Sequence, residues 1–298
     1  MGQRVFVTGA TGVLGRRVVP RLVEAGHTVT AVVRSEAKAE GVRAAGATPV
    51  LVDLFDRAAL RAAIAGHDGI AQLATNVPSG PSAGNADAWR THDRLRSVAA
   101  PLIAEAAAEV EVARLIQESI TFPYVDGGDQ WIDEHHERKY YWGNECTATA
   151  EGGAAGFTAM GRVGIVLRFA LFMAPDSAHT QGFVAAARRG QFSVPGLVES
   201  YVSFIHADDA AAAVVAALDA PAGTYNVAEP EPLRREAHRA ALSALVARSD
   251  LEVPWRPTDH DDDANALARS HRISSQRLAD VTAWAPTIHC VEHWGDLP

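Results

Sequence analysis

The chain of 298 residues carries 27 basic and 36 acidic side chains for a formal net charge of -9, with 48% hydrophobic and 21% charged residues. This is an ordinary soluble globular composition, able to bury one large core or two modest ones. Its acidic balance leaves no basic field for a phosphate backbone or an anionic lipid surface, so nucleic acid and membrane are excluded as first partners and a small molecule is expected.

The two cysteines, Cys146 and Cys290, lie far apart and fall in no Cys/His ligand spacing, which argues against a disulfide framework and a structural zinc site. Met1-Gly2-Gln3-Arg4 runs straight into an apolar strand pattern, and no run approaches the 18 apolar residues that a membrane span requires. A cytoplasmic protein, monomeric or homodimeric, is expected. Lys38 and Lys139 are the only lysines, so any motif needing lysine can be checked by eye.

Six short apolar runs read as strands in the first 170 residues: Val5 to Val7, Val29 to Val33, Pro49 to Val52, Gly69 to Leu73, Val112 to Ile116 and Gly164 to Leu167. They are too continuously apolar to have one wet face, which places them in a parallel sheet covered on both sides. Helical patterns at 12–25, 57–65, 86–109 and 144–159 supply the crossovers. The fold class is α/β, a Rossmann-type doubly wound parallel sheet.

Past residue 170 the rhythm loosens. A helix is expected at 177–190, a strand from Ser200 to Phe204, a helix from Asp208 to Leu218, a strand from Thr224 to Val227 and a helix at 233–248. With no low-complexity linker, 171–298 reads as a smaller C-terminal substrate lobe on a dinucleotide-binding core of 1–170, with 203–227 contributing back to that core. The run Asp259 to Asp263 lacks the alternating ligands and glycine of a calcium loop, and no metal site is expected. The polar, aromatic stretch 125–144 interrupts the alternation and exceeds the usual connection of about 4–6 residues, so it is expected to form a lid insertion. Its aromatics Trp131, Tyr140, Tyr141 and Trp142, with Tyr124 just before it, are candidate substrate contacts.

After the first strand comes Thr8-Gly9-Ala10-Thr11-Gly12-Val13-Leu14-Gly15, opening a helix. Glycines at this spacing allow a tight turn, a close backbone approach to a pyrophosphate and close helix–strand packing, while the helix N-terminus supplies amide donors. Gly9, Thr11, Gly12, Val13, Leu14 and Gly15 are therefore candidate dinucleotide contacts. Where an NAD enzyme places a carboxylate for the adenosine ribose, this chain has Arg34-Ser35, which favours a 2′-phosphate and hence NADP(H), with Arg16 and Lys38 able to assist. Asp53-Leu54 suits the adenine edge, and Ala74-Thr75-Asn76 lies where strand C-termini converge.

These residues resemble the short-chain dehydrogenase/reductase superfamily in its extended or atypical branches, related to the NAD-dependent epimerases and dehydratases. Further matches run in order through Leu115 to Ser119, Tyr124, Leu167-Arg168-Phe169, Phe204 to Asp209, Gly223 to Val227 and Ser274 to Leu278. The resemblance implies that Ala170, Leu171 and Phe172 flank the nicotinamide. His206 with Asp208 and Asp209 fits a helix N-cap with favourable first-turn charge better than an acid/base pair, and Arg168 fits the scaffold.

The superfamily's reaction centre is a tyrosine with a lysine four residues on. Here Tyr124, Tyr140, Tyr141, Tyr201 and Tyr225 are followed at that spacing by Gly128, Asn144, Glu145, Ile205 and Glu229. Aligning Glu151 with the acid that follows the lysine puts Gly143 and Thr147 in the two slots. Ser119 and Thr121 bracket the place of the family's serine and stand as candidate catalytic residues. The expected activity is NADPH-dependent reduction of a polycyclic ketone of the aromatic polyketide (angucyclinone) type, typical of antibiotic biosynthesis, with the proton supplied by a hydroxyl on the substrate. The alternatives are a non-catalytic NAD(P) sensor resembling the NmrA-type regulators, and a sugar-nucleotide epimerase or dehydratase, which would need the missing tyrosinate base.

Overall fold

The structure, a computed structural model, describes residues 2–78, 85–141, 144–255 and 266–296. The amino-terminal half alternates as expected: β1 (Arg4–Thr8), α1 (Gly15–Glu24), β2 (Thr28–Val33), α2 (Glu36–Ala44), β3 (Thr48–Leu51), α3 (Arg57–Ile64) and β4 (Gly69–Gln72). Then follow α4 (Ala86–Arg94), a π-helical turn (Leu95–Ala99), α5 (Ala100–Glu109), β5 (Arg114–Ile120), β6 (Trp131–Ile132), α6 (Glu145–Ala159) and β7 (Val163–Phe169). The remainder comprises β8 (Leu171–Met173), α7 (Ala178–Arg188), β9 (Tyr201–Val202), β10 (Phe204–His206), α8 (Ala207–Ala216), β11 (Gly223–Val227), β12 (Leu233–Arg234), α9 (Arg235–Leu245), β13 (Arg272–Ile273), α10 (Gln276–Val281) and a 3₁₀ helix (Cys290–Asp296).

Seven parallel strands form the central sheet in the order β11-β7-β5-β4-β1-β2-β3. Val5 and Val7 of β1 face a layer built by α1, α2 and α8, whereas Phe6 faces α3, α5 and α6. That double burial is why the strands read as unbroken apolar runs. From β1 the chain winds outward to β2 and β3, then returns past β1 to β4, β5, β7 and β11, leaving a crevice at the carboxyl ends of β1 and β4. Ligands of open α/β sheets bind at such a switch point. A second cluster of Leu171, Met173, Phe183, Phe192, Phe204 and Trp294 forms the core of the smaller carboxyl-terminal lobe.

Several elements depart from the sequence reading. The fifth strand runs from Arg114 to Ile120 rather than from Val112 to Ile116, because Glu118 and Ser119 are extended and buried with partners from neighbouring elements. The expected Ser200–Phe204 strand breaks at Ser203: β9 pairs antiparallel with β12, and β10 pairs parallel with β8. Ser203 Oγ instead donates to the His271 carbonyl at 2.8 Å and accepts from the Ile273 amide at 3.0 Å. The helix expected at 86–109 is interrupted by the π-helical turn at 95–99. Pro101, two residues past that turn, has no amide with which to continue the regular ladder.

The segment expected as a lid is fastened at its neck and along its length. Tyr124 and Arg138 form an antiparallel bridge, the Val125 amide donates to the Glu137 carbonyl at 3.0 Å, and the Lys139 amide donates to the Pro123 carbonyl at 2.7 Å. β6 pairs with β13, and Asp126 accepts from the Ser270 amide at 2.8 Å. Trp131 lies half exposed against the Arg272 guanidinium, 4.2 Å from its ring centre.

Candidate active site

The glycine loop sits at the crevice floor. Gly9 has φ +66°, and a Cβ there would stand 2.5 Å from the Leu73 carbonyl oxygen; a Cβ on Gly15 would stand 2.2 Å from the Gly9 carbonyl oxygen. Both positions accept only glycine, the first for its conformation and its approach to β4, the second for packing of α1 under the loop. The Gly12 amide closes the turn on the Gly9 carbonyl at 3.0 Å. Val13 and Leu14 complete the loop, with Leu14 buried as the residue before α1. Thr8 Oγ1 bonds Gln72 and accepts from the Leu73 amide at 3.2 Å, tying the ends of β1 and β4 together.

Between α1 and α2 opens a cleft of about 250 Å³ lined by Ala10, Thr11, Arg16, Lys38 and Gly41 among others. Arg34 and Ser35 are exposed at the end of β2, and Ser35 begins α2. The cradle that a Cβ would fill and these cationic side chains fit a dinucleotide with its adenosine end toward α2. Arg16 also pairs with Asp176 of the smaller lobe at 2.6 Å. Asp53 is exposed and accepts from the Phe55 amide at 3.0 Å; Leu54 is half-buried. After β4, Ala74 is buried, Thr75 half-buried and Asn76 exposed. Leu171 is buried, while Phe172 is half-buried and tilted against Phe169 with 5.2 Å between ring centres.

Trp142 and Gly143 lie outside the described residues, as does the run Asp259 to Asp263. Thr147, in the lysine slot, is fully buried, and its hydroxyl accepts from Arg96 Nη1 at 2.6 Å. Arg96, carried by the π-helical turn and itself fully buried, clamps Glu118 through two bonds of 2.7 and 2.8 Å. Burial pushes the Glu118 carboxyl above its ordinary range despite that cation. Burial likewise pushes the Cys146 thiol up to about 11, which keeps it protonated.

Ser119 is fully buried, and its hydroxyl donates to Glu151 Oε1 at 2.6 Å. Glu151 also accepts from Arg168 at 2.8 and 2.7 Å and from Arg138 at 2.6 Å. Burial would raise the Glu151 carboxyl, but the Arg168 and Ser119 bonds and the Arg138 charge hold it below the usual range, so it is a carboxylate that keeps the Ser119 proton engaged. Thr121 is buried beside Phe122.

Tyr124 is corrected from a lid contact to a core residue. It is fully buried, its hydroxyl donates to Asn226 Oδ1 at 2.8 Å and accepts from Arg168 Nη1 at 2.8 Å, and burial pushes its phenol up to about 12. Tyr140 and Tyr141 are half-buried; the Tyr140 hydroxyl accepts from Arg138 at 2.6 Å. Tyr140, Arg138, Glu151 and Arg168 line a cleft of about 560 Å³ between α6 and the β7–β11 edge, floored by Gly164, Val166 and Gly223. His206 caps α8 as expected, accepting from the Asp208 amide at 3.3 Å. Arg96, Glu118 and Arg138 were missed as site residues. The one sequence signal was an acid, Glu118, following the apolar pair Leu115-Ile116; its partner lies 22 positions away on the π-helical turn.

A family model described as NAD(P)H-binding matches residues 9–151. A 3-diazoavenalumate denitrifying reductase of a Streptomyces species is 30% identical over 248 residues, covering 77% of either chain. The chain belongs to the extended short-chain dehydrogenase/reductase family. A member from Stigmatella aurantiaca, 4-hydroxy-2-methyl-3-oxo-4-farnesyl-3,4-dihydroquinoline-1-oxide ketoreductase, is 34% identical over 134 residues, which are 45% of this chain and 38% of that protein. The crystal structure of a dTDP-glucose 4,6-dehydratase from Streptomyces venezuelae with NAD bound shares the fold at a TM-score of 0.78 and 16% identity, over 98% of this chain and 95% of that one. This short-chain dehydrogenase/reductase thus carries an NAD(P)H-binding domain and is similar to reductases. Among its described residues no helix is long and apolar enough to cross a membrane.

Proposed function

We propose that the protein is an NADPH-dependent ketoreductase for a ring ketone that carries a neighbouring hydroxyl, of the aromatic polyketide (angucyclinone) type, and that this hydroxyl delivers the proton. One observation carries the reading: the tyrosine slot holds Gly143, the lysine slot holds Thr147, whose hydroxyl is engaged by Arg96, and the proton of Ser119, beside the family's serine position, is committed to Glu151. When bound, a reduced nicotinamide supplies hydride to the carbonyl carbon. The chain's own residues then have three tasks. Gly9 to Gly15 admit the pyrophosphate, Arg34 and Lys38 hold a 2′-phosphate, and the segments after β4, β5 and β7 orient the ketone while excluding water.

A side-chain acid contributes about 10²- to 10⁴-fold to such a step. A hydroxyl fixed beside the carbonyl replaces it, because its hydrogen bond polarises the C=O and its proton moves to the new alkoxide to give the alcohol, leaving an oxyanion on the neighbouring oxygen that takes a proton from water. The Stigmatella relative supports this choice, since the substrate in its name bears a 3-oxo group beside a 4-hydroxy group.

A second reading has its own support. The Streptomyces relative is a diazo-acid reductase, and an NAD(P)H azoreductase of Xenophilus azovorans is 28% identical over 250 residues. A nitrogen acceptor that takes hydride without forming an alkoxide would also need no tyrosine. NADPH consumption separates the two. Hydroxy-ketones should be turned over at least about 100-fold faster than analogues with the neighbouring hydroxyl methylated. Equal rates would remove substrate assistance, and turnover of aryl diazo acids alone would select the second reading.

A further inference from the structure

A narrow, partly open cavity lies apart from the glycine loop, where the carboxyl ends of β5 and β7 meet the smaller lobe. Thr121, Phe122 and Leu171 wall it on the sheet side; Val202, Ser203, Arg235 and His271 wall it on the lobe side. Its volume is about 10 Å³, room for one oxygen-sized group.

Arg235 is almost wholly buried, and all its bonds go to neutral oxygens: Ser200 Oγ and the carbonyls of Tyr201 at 2.9 Å, Leu267 at 2.8 Å and Arg269 at 3.0 Å. Its Nε has no acceptor. Arg269, also buried, donates to the Tyr124 carbonyl at 3.0 Å and leaves Nη2 without an acceptor. Among the described residues neither guanidinium has a carboxylate within ion-pair distance. Asp126, the acid of this neighbourhood, is taken up by the Gly128 and Ser270 amides. His271 contributes no charge, since burial pushes it down to about 4 while its Nε2 bonds the Tyr124 carbonyl. Two buried cations whose neighbouring acid, Asp126, stands beyond ion-pair distance are costly to hold, and an anion entering the cavity beside Arg235 would relieve that cost.

We propose that this cavity is an anion subsite, in which Arg235 receives one oxygen of a carboxylate carried by the substrate, with the attached ring against Phe122 and Leu171. A carboxylate oxygen suits the one unpartnered donor, Arg235 Nε–H, because a charge-assisted bond is shorter and about twice as strong as one to a neutral acceptor. The inference rests on the ketoreductase reading and narrows it: the preferred ketones are acids.

Binding to the NADP⁺-loaded protein tests the subsite without any turnover. Benzoate should bind at least tenfold more tightly than benzamide, its neutral isostere, and raise the melting temperature accordingly. Arg235→Gln should bring the ratio close to one. Because that variant also strips four oxygens of their donor, Val194→Phe, which fills the cavity and leaves every charge in place, provides the second test and should abolish benzoate binding. Equal binding of benzoate and benzamide by the wild-type protein overturns the proposal, as does undiminished benzoate affinity in both variants. Among hydroxy-ketone substrates, the acid should show a KM at least tenfold below that of its methyl ester, and ketone turnover indifferent to esterification would refute the subsite while leaving the ketoreductase reading intact. Charge-dependent benzoate binding in a protein that oxidises NADPH with no ketone would uphold the subsite and refute that reading.

Discussion

Removing the Arg96 side chain isolates a buried carboxylate, and the consequence can be worked from its contacts. Arg96 is 1% exposed and Glu118 7% exposed. The guanidinium makes three bonds, two to Glu118 and one to Thr147. At an effective dielectric constant of about 20, unit charges about 4 Å apart attract by roughly 4 kcal/mol, and a buried ion left without its partner costs about 3–5 kcal/mol. Arg96→Met should therefore lose about 3–5 kcal/mol at pH 8, or roughly 6–15 °C in melting temperature. Burial already holds the Glu118 carboxyl above its ordinary range, and loss of the cation raises it further. A folded-state pKa above the unfolded one stabilises at low pH, and that contribution vanishes as pH rises through the folded value. The deficit of the variant should accordingly shrink as pH falls from 8 to 5. Arg96→Met combined with Glu118→Leu should recover at least about 2 kcal/mol, since no charge is then left buried. Urea denaturation followed by circular dichroism at both pH values measures all of this. A deficit below about 1 kcal/mol, or a double variant that loses the full sum of the two single ones, would refute the argument.

Three other sites make separate predictions. Burial pushes the Glu229 carboxyl from 4.5 up to about 7, against the pull of the Phe204 and Cys290 amides that donate to it. Its contribution to stability should be fully present below about pH 4.5 and fall by about 3 kcal/mol as pH rises to about 7, and Glu229→Gln should flatten that slope in denaturant titrations. Gly9→Ala puts a methyl group 2.5 Å from the Leu73 carbonyl oxygen at φ +66°, so NADPH binding followed by nucleotide fluorescence should weaken at least about 100-fold. Arg34→Ala and Lys38→Ala should each raise the KM for NADPH about tenfold while leaving that for NADH unchanged; equal losses for both nucleotides would count against a 2′-phosphate contact.

The amino acid sequence alone determined the sheet, the crossover helices and the glycine loop, because each is written in local terms. Strands buried on both faces are continuous apolar runs, and Gly9 and Gly15 stand where no side chain fits. It likewise announced the missing tyrosine–lysine pair, which is a matter of spacing. Chain geometry in three dimensions decided the remainder. Tyr124 reads as a neighbour of a polar loop but is buried by β7 and β11, whose Arg168 and Asn226 lie 44 and 102 positions away. Arg235 reads as the second of two surface-like arginines, yet the segments at 200–201 and 267–269 close over it. Partners of charged groups are set by tertiary packing between distant segments, and neither periodicity nor propensity carries that information.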